Sequence, residues 1–341
     1  MAPASITIAV CCYNSARRLP DTLRHLAAQV VPDDVSWEVL VIDNASTDGT
    51  ADVALQTWPS DAPAPLRVVT EPNAGLSNAR HRAIMEARYD VIGFIDDDNW
   101  VCQDWVQTAS KTMSAHPEAG ACGGPSEAVF EVSPPDWFAR YKACYAVGEQ
   151  ADAEGDVTDT RGWLWGAGLC LRRQALLQLF SAGFSPLLSD RKGSQLTSGG
   201  DNELCYALVM AGWRVWYNPR LELRHFIPKE RLTSDYLKRW FTGAGACSVL
   251  AGIYEHVLGL DELPAHRDIA WYQLAYWQLI STARRMTDVR RKYGRASIPL
   301  EDEVAILSGK AALMKYLSVS WRYQSYCSAI RGAPWARRGV D

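Results

Sequence analysis

The chain has 341 residues, 48% of them hydrophobic and 22% charged, enough apolar material for one large domain or one domain with an extension. A formal net charge of −4 gives no reason to expect a nucleic-acid binder, and no leader pattern or apolar run of about 18 residues marks a signal peptide or a membrane span. Nine cysteines without a CxxC pair, most within apolar runs, suit reduced thiols in a cytoplasmic protein better than a disulfide framework or a zinc site.

In chain order, ITIAVCC reads as a short apolar strand ending at Tyr13-Asn14. A helix over residues 19–29 follows, with Leu19, Leu23 and Leu26 at helical spacing and Pro20 near its start. WEVLVID is a second buried strand, and Ser46 to Asp48 supply the cap of a helix reaching about residue 58. LRVVT is a third strand. A turn at residues 73–76 leads into a helix to about residue 88, and then comes VIGFIDDDNW, a buried strand that stops in Asp96, Asp97 and Asp98.

Beyond the acidic triplet the pattern predicts a helix near residues 104–114 and short Gly-punctuated segments over 119–132. A polar, mobile loop follows at 148–161, then a strand running into a helix at 165–173. A Ser/Gly-containing loop at 184–200 precedes DNELCYALVMAG, a helix ended by glycine, and VWYNP and LELRHF give two short strands. From about residue 231 the chain reads as helix, notably over 270–292 and 301–330. Its last 81 residues are about +5 in charge and the remainder about −9.

Strand–helix alternation with continuously apolar strands predicts a parallel sheet covered on both faces, with the ligand crevice beyond the carboxyl ends of the strands. Four polar clusters lie at such ends: Cys12-Tyr13-Asn14, Asp43-Asn44, Glu71-Pro72-Asn73 and Asp96 to Asp98. Three adjacent carboxylates repel one another, so either water solvates them at a turn that caps the next helix or a cation sits among them. Hard oxygen ligands suit Mg²⁺ or Mn²⁺, and a substrate diphosphate would complete the coordination.

The ordered motifs resemble family 2 glycosyltransferases, which have the GT-A fold. TIAVCCYNSARRLPDTLRHLAAQ is similar to the family's opening strand, Tyr-Asn turn and helix. VLVIDNASTDGT resembles its second strand, EPNAGLSNARHRAI its third loop and Arg-bearing helix, and FIDDDNW its metal-binding DxD. SGGDNELCYALVMAGWRVWYNP resembles the segment carrying the catalytic base. The resemblance spans roughly residues 6–227 and implies a mostly parallel, Rossmann-like α/β sheet flanked by helices. Residues 1–228 would form the catalytic domain, with 1–125 binding the nucleotide sugar and 126–228 carrying acceptor and base functions; residues 229–341 would be a helical extension.

The implied activity is transfer of a sugar, with inversion, from a nucleoside-diphosphate sugar to an acceptor hydroxyl, with a UDP-sugar as the first expectation. Cys11, Tyr13 and Asn14 would line the donor pocket, and Asp43 would accept a hydrogen bond from the base. Arg80 would meet base or diphosphate, a match that a guanidinium makes better than lysine. Asp96 or Asp97 would hold the ribose, and Asp98 would ligate Mn²⁺ or Mg²⁺, which neutralises the leaving diphosphate. Asp201 would be the general base, unless it serves only as a helix cap. Many relatives carry Glu directly before that Asp where this chain has Gly200, so Glu203 is a second candidate.

His225 matches a position that completes the metal site in some relatives, against the plainer reading of a hydrogen-bonded histidine. Trp163 and Trp165 could stack on sugars or pack in the core. The aromatic helix WYQLAYWQLI, followed by basic residues, could face anionic lipid, pack on the catalytic domain or join a homodimer. The acceptor could be a glycan, a lipid-linked molecule or a small molecule, and the protein cytoplasmic, peripheral at the inner membrane face in the lipid case. Competing readings are a nucleotidyltransferase of similar fold, which would need a Gly-rich phosphate loop after the first strand, and a non-catalytic carbohydrate- or nucleotide-sugar-binding protein.

Overall fold

Residues 3–188, 199–261, 270–294 and 296–337 are described by the structure, a computed structural model. Much of the loop at 184–200 lies outside them. Strands β1 (Ile6–Cys12), β2 (Trp37–Asp43), β3 (Leu66–Thr70) and β4 (Val91–Asp96) alternate with helices α1 (Leu19–Ala27), α2 (Thr50–Thr57) and α3 (Leu76–Glu86). β1 pairs in parallel with β2 and β4, placing Cys12 opposite Asp43 and Cys11 opposite Asp96. Alternate β1 residues point to opposite faces. Ile6, Ile8 and Val10 pack with Leu19, Leu23 and Leu26 of α1, whereas Ala9 joins Ala79, Ala83 and Ile84 of α3. The continuous apolar runs are thus covered on both sides, and the polar residues that follow them emerge together at one edge.

The chain continues through β5 (Asn99–Val101), α4 (Trp105–Ala115), β6 (Ala119–Gly123), β7 (Ser126–Phe130), α5 (Phe138–Tyr141), β8 (Gly155–Asp156), β9 (Leu169–Arg172) and α6 (Arg173–Ser181). It ends with α7 (Gly200–Met210), β10 (Arg214–Tyr217), β11 (Leu223–Ile227), α8 (Ser234–Leu258), α9 (Trp271–Tyr293) and α10 (Leu300–Arg331). The large sheet has the order β3-β2-β1-β4-β9-β6-β10-β8, with a smaller sheet β5-β11-β7 beside it. β9 runs antiparallel between β4 and β6, with Leu169 opposite Phe94. Its leading end therefore lies at the carboxyl edge of β4, and residues 163–168 enter the crevice from there. In the small sheet, His225 pairs with Asn99, and the Phe226 amide donates to the Asp98 carbonyl (2.8 Å), which brings β11 against the acidic turn.

The polar stretch 148–161, expected to be mobile, is pinned instead. Gly148 and Ser126 exchange backbone hydrogen bonds, β8 pairs with β10, and the Val215 amide donates to the buried Thr158 hydroxyl (2.9 Å). Its composition is that of a loop, but these long-range backbone partners hold it.

The C-terminal helices form a layer on α7. Arg285 reaches Asp302 (3.2 Å), and a side chain at Gly309 would collide with Thr282 and Gln278 of α9, so α9 and α10 cross closely and antiparallel. Trp271 packs into this layer with Leu274. Tyr272, Tyr276 and Trp277 remain more than half exposed, so burial against the catalytic domain does not hold for them. No helix among the described residues is long and apolar enough to cross a membrane.

Glu38 is a buried charge that ties three strands. Its carboxylate accepts from Arg67 of β3 (2.9 Å), from the Thr7 hydroxyl of β1 (3.0 Å) and from the Arg88 amide (3.2 Å). Burial alone would raise its pKa, but the hydrogen bonds from Arg67, Thr7 and Arg88 outweigh it and hold the group below its ordinary value of 4.5. Glu38→Gln is expected to cost about 3 kcal/mol of stability. The lowered native pKa means the contribution is complete above about pH 4.5 and fades as the pH falls through that lowered value. Denaturant unfolding of both proteins at neutral and acid pH measures the difference, which should narrow in acid.

Candidate active site

A cavity of about 1170 Å³ opens at the carboxyl edge of the sheet. β1 contributes Cys11 and Tyr13, β4 and its turn contribute Asp96, Asp97 and Asp98, and α3 contributes Arg80. Asp201 of α7, His225 of β11 and Arg231 reach the same space, and α8 closes it with Tyr236 and Trp240. Arg231 lies past residue 228, so the helical extension takes part in the wall.

Asp98 is 4% exposed and surrounded by cationic or basic groups. Its carboxylate lies 3.1 Å from Arg231 Nη1 and 3.5 Å from His225 Nε2, and it accepts from Asn99 Nδ2 (3.2 Å). Burial would push its pKa up, yet the charge of Arg231, with His225 behind it, holds the group well below the usual carboxylate range. Its two neighbours shift the other way. Burial, then repulsion from Asp98, raises both Asp96 and Asp97. Arg18, which precedes α1 as its N-cap, offsets part of this at Asp97 through a 2.7 Å ion pair, while its Nε has no hydrogen-bond partner among the described residues. The three acids are thus not alike, and Asp98 alone of them is fully withdrawn from solvent.

His225 Nδ1 lies 2.8 Å from the Tyr145 carbonyl, which selects the tautomer with the proton on Nδ1. Its Nε2 faces Asp98 at 3.5 Å, with Arg231 Nη1 3.4 Å away. Among the described residues no group of three or more His, Cys, Asp or Glu side chains is arranged to hold a metal ion. Asp98 and His225 together offer one oxygen and one nitrogen donor, a partial set that a substrate's oxygens would complete.

Asp201, half-buried in the first turn of α7, accepts a hydrogen bond from the Gly166 amide (2.7 Å). A β-carbon on Gly166 would lie 2.6 Å from Arg80 Nη2 and 2.8 Å from Asp201 Oδ2, so the bare backbone lets both side chains converge there. Arg80 also packs over the Phe94 ring at 6.0 Å. Arg161 stacks on Trp163 at 4.0 Å and on Trp165 at 5.4 Å, and all three line the cavity.

Three of the expected site residues point elsewhere. Glu203 is fully buried, and its carboxylate accepts from the Leu187 and Leu188 amides (2.7 and 2.8 Å) and from the Tyr254 hydroxyl (2.7 Å). Two residues after Asp201 on a helix, it faces away from it and ties the preceding loop to α8. Asn14 turns outward with a positive φ of 50° and accepts from the Thr47 amide (2.8 Å), clamping two loops. Asp43 accepts from the Ser46 amide (3.2 Å) in its own turn, and it is the adjacent Asn44 that lines the cavity. Sequence reading placed Asn44 at the crevice edge without a role of its own, and it missed Arg18, Arg161, Gly166 and Arg231. Arg18 and Asn44 stood within quoted motifs, and Gly166 directly follows the noted Trp165.

Residues 7–145 match the model of Glycosyl transferase family 2. The chain carries a family 2 glycosyltransferase domain. Its relatives include the succinoglycan biosynthesis protein ExoM of Rhizobium meliloti, 26% identical over 69% of this chain and 71% of that one. A glucosyl-dolichyl phosphate glucuronosyltransferase of Haloferax volcanii is 26% identical over 48% of this chain and 52% of its own. Among solved structures, the mannosyltransferase PcManGT of Pyrobaculum calidifontis superposes with a TM-score of 0.58 at 20% identity, covering 96% of this chain and 87% of that one, which establishes a shared GT-A fold. The family match ends before Asp201, His225 and Arg231, which the fold brings back to the cavity that holds the glycosyltransferase domain's acidic turn.

Gly166→Ala in this glycosyltransferase is expected to displace Arg80 and Asp201 together while leaving the sheet intact. Sugar transfer should fall by about a hundredfold, the scale of an ångström-level misplacement, with little change in melting temperature. Transfer assays paired with thermal unfolding check both halves.

Proposed function

We propose that this glycosyltransferase moves a sugar, with inversion, from a nucleoside-diphosphate sugar to an acceptor hydroxyl, a UDP-sugar being the first donor to test. The observation that carries the reading is the single cavity that holds buried Asp98, with His225 and Arg231, at one place and Asp201 at another. The separation of roles follows from their surroundings. Asp98 is kept ionised by fixed cations, whereas Asp201 keeps one hydrogen-bond donor, Gly166, and borders open space.

Asp201 would take the proton from the acceptor hydroxyl, with its orientation fixed by the Gly166 amide. Asp98 with His225 would hold Mn²⁺ or Mg²⁺, a donor set that fits because the Tyr145 carbonyl anchors Nδ1 and turns Nε2 towards the carboxylate. When bound, the ion neutralises charge on the leaving diphosphate. Arg18 and Arg231 border the same space and can meet phosphate oxygens. Asp96 or Asp97 would hold the ribose, with Cys11, Tyr13 and Asn44 forming the nucleotide end. PcManGT, whose structure contains GDP-Man and Mn²⁺, supports such a donor and metal in this fold. Trp163, Trp165 and the exposed face of α8 would receive the acceptor.

Asp98→Asn is expected to weaken binding of a nucleoside diphosphate in Mn²⁺ or Mg²⁺ sharply, as EDTA does to the wild type. Calorimetric titration with and without EDTA checks this, and equal wild-type affinity in the two would remove the metal from the mechanism.

Asp201→Asn should lower transfer by about two to four orders of magnitude with donor affinity nearly unchanged. Glu203→Gln should instead lower the melting temperature and spare the chemical step. Single-turnover assays alongside thermal unfolding separate the two carboxylates, and the reverse pattern would reassign the base.

A further inference from the structure

The hairpin of α9 and α10 presents a two-helix face that none of the described residues covers. Both helices advance about 100° per residue, so positions can be measured from their contact line, Thr282 on α9 and Gly309 on α10. Tyr272, Tyr276 and Leu279 lie about 60–120° from that line, and Met314, Leu317 and Trp321 about 80–140° from it, in the same rotational sense along the chain. In two antiparallel helices that face each other, the same sense carries both stripes to one side. These six side chains therefore form a continuous face. Their exposure runs from 47% at Leu279 to 74% at Trp321.

The same reckoning places two cations on this face, Arg290 at about 80° and Lys310 at about 100°. Neither has an acidic partner among the described residues, and the same holds for Arg284 and Arg291 further round α9 and for Lys315 and Arg322 further round α10. The nearby acids are engaged or averted. Glu301 pairs with Arg140, Asp302 with Arg285 and Glu303 with Lys238, while Asp288 lies about 240° round α9, away from the stripe.

We propose that this face docks the protein onto an anionic lipid surface, with the aromatic and aliphatic side chains at the headgroup boundary and Arg290 and Lys310 on lipid phosphates. Tyrosine and tryptophan suit a boundary that is apolar on one side and wet on the other, and unpaired cations at its rim supply the preference for negative lipid. A two-fold dimer through the same face fits less well. It would bring two cationic surfaces together, and Glu303, the carboxylate that the same reckoning puts on this face among the described residues, is already paired with Lys238. The inference is independent of the donor and metal assignments.

Co-sedimentation of the full chain with vesicles tests it, using phosphatidylcholine alone and phosphatidylcholine mixed with phosphatidylglycerol. Binding is expected only to the mixed vesicles and should weaken as salt is raised. Arg290→Glu with Lys310→Glu should reduce partitioning by at least about tenfold, and Tyr276→Ala with Trp321→Ala likewise, with melting temperatures unchanged. No binding to mixed vesicles, or binding that both pairs of substitutions leave intact, overturns the proposal. So does a dimer in solution that Trp321→Ala dissociates while vesicles bind nothing.

Discussion

Three consecutive carboxylates at the end of a buried strand are the constraint around which this molecule is arranged. Water cannot solvate them fully there, so the chain supplies cations and a basic ring from distant segments. Arg18 arrives from the first helix, His225 from a strand of the second sheet, and Arg231 from the turn that leads into α8. Each of these segments must close on the acidic turn for the charges to balance. The small sheet β5-β11-β7 is the means, since it is built on the residue that directly follows Asp98. Electrostatic need and topology are two descriptions of the same closure.

The uneven response of the three acids follows from this. Repulsion within the triplet is relieved mainly at one position, so Asp98 becomes the persistent anion while Asp96 and Asp97 are harder to ionise. A row of like charges is thereby converted into one strong acceptor with two neighbours whose charge depends on what lies beside them. A cation bound there would meet a site already polarised towards one oxygen pair.

The first half of the fold was legible because its signals are local. The apolar runs of β1, β2, β3 and β4 and the leucine spacing of α1 need no partner to be read, and the sheet's crevice rule then located the site. What escaped was whatever depends on direction or on long-range pairing. Asn14 and Asp43 stood at the right strand ends, but their side chains complete turns instead of facing the cavity. Glu203 lay two residues from Asp201, a spacing that on a helix sends it to another face. Arg231 carries no local mark and Gly166 only a neighbouring tryptophan, because their importance comes from approaching Asp98 and Asp201 across the fold. The stretch at 148–161 was misjudged for the same reason, since its order comes from partners on β7 and β10.

The reversed direction of β9 carries a consequence for how the enzyme can diversify. Because β9 runs against its neighbours, the segment before it opens on the crevice and the helix after it, α6, lies at the far edge of the sheet. Residues can be inserted or exchanged between β8 and β9 without altering the pairing of any parallel strand. Such changes would reshape the Arg161–Trp163–Trp165 wall while Asp98 and its cations stay in place. The rim that meets the acceptor can therefore evolve separately from the floor that holds the donor.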